Sequence, residues 1–159
     1  MPVVQLQNSP QVGEVAPDFT AASTAGQDVS LSSFRGKSNV LLAFFPLAFT
    51  GTCTKELVCF TEDFDRFAGR GVEILPISVD SVPSLREFKN KLHTKTELLS
   101  DFKRDVSRAY GVLNEDRFYS NRAYFLIDKA GVVRWAHVET NNSNRRENQE
   151  LLSAMELLS

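Results

Sequence analysis

Side chains that bind metals or staple small folds are scarce in this sequence. Its 159 residues hold two cysteines and two histidines. His93 and His137 lie far from Cys53 and Cys59 along the chain, and no Cys/His spacing of a zinc site occurs. Cys-x-x-Cys is missing as well, because Glu56 stands where the second cysteine of a disulfide oxidoreductase would follow Cys53. The longest apolar run, which starts at Val40 and includes Pro46 and Leu47, is too short to span a membrane. Met1 to Pro10 carries neither the charged nor the apolar stretch of a secretory leader, so a cytoplasmic protein is expected. In a reducing compartment a structural disulfide is not expected, and a reactive or simply buried thiol is. Charge of one sign is scarce too. Lys and Arg number 18 against 20 Asp and Glu, and the richest basic cluster, Arg145-Arg146, is followed at once by Glu147. Nucleic-acid binding needs a basic stripe, and a polybasic segment draws a protein to anionic lipid; the chain has neither.

What is present is the composition of one soluble domain over residues 1–159, with 42% apolar and 24% charged residues. Residues 1–12 are expected to be loosely held. Strand and helix signals then alternate. Val40 to Phe45 is continuously apolar and ends at Pro46, as a strand buried on both faces does. Gly71 to Asp80 reads as a second central strand, in which Pro76 requires a bulge or an edge-facing position. Arg122 to Ile127 and Val132 to Val138 flank Asp128-Lys129-Ala130-Gly131 and form a predicted hairpin. Helices are predicted over 52–68, over 83–92 with Ser81 as N-cap, over 105–110 ending at Gly111, and over 144–158. This pattern gives an α/β fold with a central mixed β-sheet flanked by helices.

Cys53 falls where a buried strand has stopped at Pro46 and a helix has just begun, the place where active sites of open α/β sheets gather. At about 100° per residue, Leu57, Phe60, Phe64, Phe67 and Ala68 share one helical face, and Cys53 projects onto its middle. The thiol is therefore expected to point inward at the helix's first turn, where unpaired N–H groups and the dipole favour a thiolate. Cys59 falls among Lys55, Glu62, Asp63 and Arg66 on the polar side. Six helical residues separate the two Cα atoms by about 10 Å, whereas a disulfide needs about 7 Å or less. Position alone leaves open whether Cys53 is a nucleophile or a small buried hydrophobe, and whether Cys59 is passive. It equally leaves Arg122 open to a surface ion pair, Thr50 to an ordinary N-cap and Pro46 to a strand stop. Trp135, His93 and His137 read as structural.

The segment Pro46-x-x-x-Thr50-x-x-Cys53 resembles the active-site pattern of the peroxiredoxins. Gly13 to Phe19, Leu31 to Lys37, Leu98 to Asp101, Ala109 to Val112 and Asn121 to Asp128 resemble further stretches of that family in the same order, over about residues 11–157. Pro46 to Leu57 is similar to the one-cysteine alkyl hydroperoxide reductase E type. The bacterioferritin comigratory type usually has a second cysteine five residues after the first, whereas here the gap is six. The resemblance implies a thioredoxin-like fold and a thiol-dependent peroxidase that needs no cofactor. In it Cys53 is the peroxidatic nucleophile, Arg122 and Thr50 serve thiolate and peroxide, Pro46 covers the pocket, and Glu56 holds Arg122. It also implies a thiol reductant (a thioredoxin-like protein, a mycoredoxin or a low-molecular-weight thiol), with Cys59 as a candidate resolving cysteine, and a homodimer. Two other readings stand beside it: a cysteine hydrolase using His137, and a peroxide-sensing switch or partner-binding module using the same Cys53.

Overall fold

The computed structural model describes residues 9–158. In chain order these form β1 (Thr20–Ser23), β2 (Asp28–Ser30), a 3-10 turn (Leu31–Phe34), β3 (Asn39–Phe44), α1 (Gly51–Glu62), α2 (Phe64–Ala68) and β4 (Val72–Ser78). There follow α3 (Val82–Leu92), β5 (Leu99–Ser100), α4 (Asp105–Ala109), β6 (Leu113–Asn114), β7 (Tyr119–Ser120), β8 (Ala123–Ile127), β9 (Val133–Val138), α5 (Asn148–Ala154) and a closing 3-10 turn (Met155–Leu157). Seven strands make one mixed sheet in the order β2-β1-β5-β4-β3-β8-β9, and β6 and β7 pair separately. β3 runs parallel to β4 and antiparallel to β8, so its apolar residues are walled in on both edges.

Because side chains alternate across a strand, β3 feeds two cores. Leu41 and Ala43, with Phe45, face α1, α3 and α5, whereas Val40, Leu42 and Phe44 face Phe19, Val106 and Tyr110. Pro76 sits inside β4, opposite Ala43. The Ile77 carbonyl accepts from Phe45 of the β3 chain and the Ser78 carbonyl from Asp101 on the other side. Alternation therefore turns Pro76 toward β5, which pairs with β4 only from Ile77 onward. The missing N–H falls where the ladder has not begun, the edge-facing position that proline requires. The hairpin forms as expected, with Gly131 at φ 86° and a bulge between Leu126 and Ile127. Ser81 caps α3 by accepting from the Ser84 N–H, and Gly111 follows α4 at φ 66°.

Two helices depart from the sequence expectation. The helix predicted over 52–68 breaks at Asp63, which leaves helical geometry at φ −103°, ψ 16°. The Asp63 carboxylate accepts from Asn148 Nδ2 (2.9 Å), and its carbonyl accepts from Arg66 and Phe67 as a new turn starts. Beyond the break the helical wheel no longer holds, so Ala68 is exposed while Phe67 stays buried. The helix predicted from Asn144 starts at Asn148 instead, because the Arg146 N–H is taken by the Tyr124 hydroxyl (3.1 Å) and Glu147 is extended. Of the segment expected to be loose, residues 1–8 lie outside the described residues; Ser9 and Pro10 are buried, and the Gln11 N–H bonds Glu14. Among the described residues no helix is long and apolar enough to cross a membrane.

Candidate active site

Where β3 ends, the chain turns through Pro46, buried, and Phe49, whose φ of 69° is unusual for a residue with a side chain. Two anchors hold that turn. The Ala48 N–H donates to Asp80 Oδ2 (2.8 Å), which also accepts from Ser78 Oγ (2.7 Å). The Phe49 ring packs on Phe88, with centroids 4.9 Å apart. Thr50 occupies the N-cap position of α1, yet its hydroxyl donates backward to the Leu47 carbonyl (2.7 Å) rather than capping the helix. Its lone pairs remain available to accept. The first i→i−4 bond of α1 runs from Thr54 to Thr50, so the N–H groups of Gly51, Thr52 and Cys53 have no intrahelical acceptor.

Cys53 is fully buried on the inner face, as its wheel position requires. Arg122, just before β8, is also fully buried and spreads its fork over three partners. Nη2 donates to Cys53 Sγ (3.1 Å), Nη1 to Glu56 Oε1 (2.7 Å), and Nε and Nη2 to the Asn142 carbonyl (3.3 and 3.2 Å). The Arg122 N–H donates to Asn142 Oδ1 (2.9 Å). A surface ion pair for Arg122 is thereby overturned. Glu56, one turn after Cys53, takes a second bond from the Tyr124 hydroxyl on Oε2. A thiolate is the attacking form of cysteine, and here a rigid, permanently charged donor is aimed at the sulfur.

The charges of this cluster depend on one another. Burial pushes the Glu56 carboxyl above its ordinary range, while Arg122 and then the Tyr124 hydroxyl pull it back. Burial alone would weaken the hold of Arg122 on its proton, but the charges of Glu56 and then Cys53 keep that pKa above its usual value. Burial, followed by the Glu56 charge, raises the Tyr124 hydroxyl far above the usual phenol range, so it stays protonated and donates.

Cys53, Glu56 and Arg122 are thus in direct contact. Pro46 and Thr50 stand in the loop leading to them, without a hydrogen bond to the Cys53 sulfur among the described residues. Cys59 is half-buried on the other side of α1, and its carbonyl accepts from Asn148 Nδ2 (2.7 Å). His137 stacks on Trp135 (6.3 Å) and lies 3.2 Å from Glu139, while His93 ends α3 at φ 55°. His137 is engaged with Trp135 and Glu139 rather than with Cys53, which leaves the hydrolase reading without a base. Two contributors escaped the sequence reading. Tyr124 shares the period-two face of Arg122, a signal that was legible; Asn142 acts mainly through its backbone carbonyl, which no residue type announces. A cleft of about 660 Å³ opens at the other end of the sheet beside Asn39, Arg70, Asp128 and Arg134, but neither cysteine lines it.

A buried thiol at a helix start, bonded by an arginine that a glutamate holds, defines a thiol-based redox centre on a thioredoxin-like sheet. The profile described as the AhpC/TSA family matches residues 12–136, and the chain belongs to that family, the peroxiredoxins. Alkyl hydroperoxide reductase E of Mycobacterium tuberculosis is 41% identical over 130 residues, covering 80% of this chain and 85% of the relative. A chloroplastic 2-Cys peroxiredoxin of Hordeum vulgare is 38% identical over 143 residues, 84% of this chain and 67% of its own length. The reduced 2-Cys peroxiredoxin of Plasmodium vivax superposes with a TM-score of 0.83 at 35% identity, covering 91% of this chain and 80% of that one.

Proposed function

We propose that this chain reduces hydroperoxides at Cys53. As a peroxiredoxin it is a thiol-dependent peroxidase, with a peroxide as substrate and a thiol as reductant. The observation that carries the site assignment is the 3.1 Å bond from Arg122 Nη2 to Cys53 Sγ inside a fully buried cluster. The Cys53 thiolate attacks one peroxide oxygen. An S–O bond forms, the O–O bond breaks, and sulfur is oxidised by two electrons as the peroxide is reduced. The other oxygen leaves as alkoxide or hydroxide and takes up a proton to become alcohol or water. Arg122 offsets the charge that builds on the oxygens, and the free N–H groups of the first helical turn add donors. The Thr50 hydroxyl, already donating to Leu47, accepts from the hydroperoxide O–H. Pro46 keeps water from the sulfur.

The sulfenic acid is then reduced in two steps. An external thiol condenses with it to a mixed disulfide and water, and a second thiol releases Cys53 as thiol. A thioredoxin-like protein, a mycoredoxin or a low-molecular-weight thiol fits this role. Cys59 is passive in the first oxidation, supported by its place on the far side of an unbroken helix. The enzyme works as a single domain over residues 1–159, in the cytoplasm and as a homodimer; gel filtration checks the dimer. The test of the assignment is trapping. One equivalent of peroxide followed by dimedone gives a single adduct at Cys53, also in Cys59→Ser. An adduct at Cys59 instead, or none while peroxide is consumed, refutes it.

A further inference from the structure

Arg122 reaches Cys53 only because both ends of its fork are held, and one hydroxyl stands behind both holds. Tyr124 donates to Glu56 Oε2, the oxygen that Arg122 does not use. The same hydroxyl accepts from the Arg146 N–H (3.1 Å), at the end of the loop whose Asn142 carbonyl takes Arg122 Nε and Nη2. That loop also touches α1, where Ser143 O accepts from Thr52 Oγ1 (3.3 Å). The tyrosine ring is buried, 6.4 Å from Trp135. Packing alone needs only the ring, and a phenylalanine would supply it; the hydroxyl joins Glu56 to the loop.

We propose that Tyr124 is a positioning residue for Cys53 chemistry. Its hydroxyl fixes the Glu56 carboxylate on one side and the Asn142–Arg146 loop on the other, and so aims the Arg122 guanidinium at the Cys53 sulfur. The inference rests on Cys53 being the reactive thiol. Without the hydroxyl, Glu56 loses a donor and turns, Arg122 Nη1 follows it, and Nη2 leaves the sulfur. Arg122 bears on Cys53 directly, with Glu56 and Tyr124 acting through it; Arg145 acts on Glu56, and Arg146 reaches Tyr124 through its backbone N–H while its guanidinium pairs with Glu139 and Glu150.

The test compares Tyr124→Phe with the unaltered protein in a Cys59→Ser background. Two rates are followed: oxidation of Cys53 by hydrogen peroxide, and its alkylation by iodoacetamide across pH. The expected results are about a tenfold loss in the first, the size of one hydrogen bond to a charged group, and a higher pH for half-maximal alkylation. In a Glu56→Gln background, adding Tyr124→Phe has a clearly smaller effect on both, because only the hold on the Asn142–Arg146 loop is left to lose. An unmoved alkylation profile overturns the proposal, as does an equal loss in both backgrounds, since ring packing alone would produce that. Should the phenylalanine variant not fold, Tyr124→Leu carries the same readouts. If neither folds while Glu56→Gln does, the hydroxyl is structural and the proposal fails. Peroxide oxidation of the unaltered protein no faster than that of free cysteine would sink the peroxidase reading, yet the alkylation arm would still decide the part of Tyr124.

Discussion

Alternate residues of β3 and β8 lead into two different interiors. On one side Phe44, Tyr110 and Phe125 meet ring to ring, with centroids 5.1 to 6.0 Å apart, and the Tyr110 hydroxyl reaches out to the Pro17 carbonyl. On the other side Phe45, Leu57, Phe60 and Leu126 surround Cys53, Glu56, Arg122 and Tyr124, an ion pair and a thiol under a helix. Both interiors bury apolar area in the ordinary way, but the second also encloses the Arg122–Glu56 ion pair and the Cys53 thiol. A buried ion pair is weak evidence for stability, because desolvating both charges offsets their attraction. Its presence beside Cys53 is explained by the chemistry it serves. The difference separates residues that hold the fold from residues that hold a reactive group.

Breaking the polar side should have the largest effect. Arg122→Met leaves Glu56 buried with half its partners and Cys53 with no cationic donor. Peroxide reduction should fall by about 100-fold to 1000-fold, the loss seen when a transition-state donor is removed. The melt should also drop, since removing one partner of a buried pair costs about 3–5 kcal/mol. Peroxidase assay and calorimetry on the same sample check both. The opposite side gives the control. Phe125→Ala should cost about 3–5 kcal/mol while the oxidation rate per folded molecule stays near that of the parent; a rate that fell with stability would dissolve the distinction between the two faces.

Much of this division was legible in the residues. The continuous run Val40 to Phe45 identified the central strand, and the family resemblance pointed to Arg122; the period of two in Arg122-x-Tyr124-x-Leu126, which sets the tyrosine beside it, went unused. The wheel of α1 correctly turned Cys53 inward and Cys59 away. It failed past Asp63, where a side-chain bond from Asn148, 85 residues along the chain, coincides with a break that local periodicity does not record. Strands β1, β2, β5, β6 and β7 were invisible for a related reason. Two to four residues such as Thr20-Ala21-Ala22-Ser23 carry too little pattern to compete, and their partners make them strands. Asn142 could not be seen at all, because its carbonyl is a backbone group delivered by a loop.

Smaller changes sharpen the comparison. Glu56→Gln keeps an acceptor for Arg122 but gives up the charge; a loss of about tenfold in Cys53 oxidation, the lower range for a hydrogen bond to a charged group, is expected by stopped flow. Cys59→Ser should leave that first oxidation within about twofold, because Cys59 touches none of the cluster; a large loss there would place it in the first step. The smallest effect lies on the surface. Slight burial opposes ionisation of Asp128, but the Val132 N–H and then Arg134 more than offset it and lower its pKa. A lowered folded value contributes stability above the unfolded pKa that is lost as pH falls through the folded one. Asp128→Asn should therefore cost less than about 1 kcal/mol at neutral pH, with the difference from the parent closing below pH ~4, the usual carboxylate range; a gap that stayed open in acid would contradict the sign.

The most direct test of the central claim is the second-order rate of peroxide consumption by the fully reduced protein, followed by stopped flow for hydrogen peroxide and for an alkyl hydroperoxide, with Cys53→Ser alongside. Consumption of one equivalent far faster than by free cysteine in the same buffer, and absent in Cys53→Ser, is the predicted result. A rate equal to that of free cysteine, or one that survives the loss of Cys53, would contradict the account.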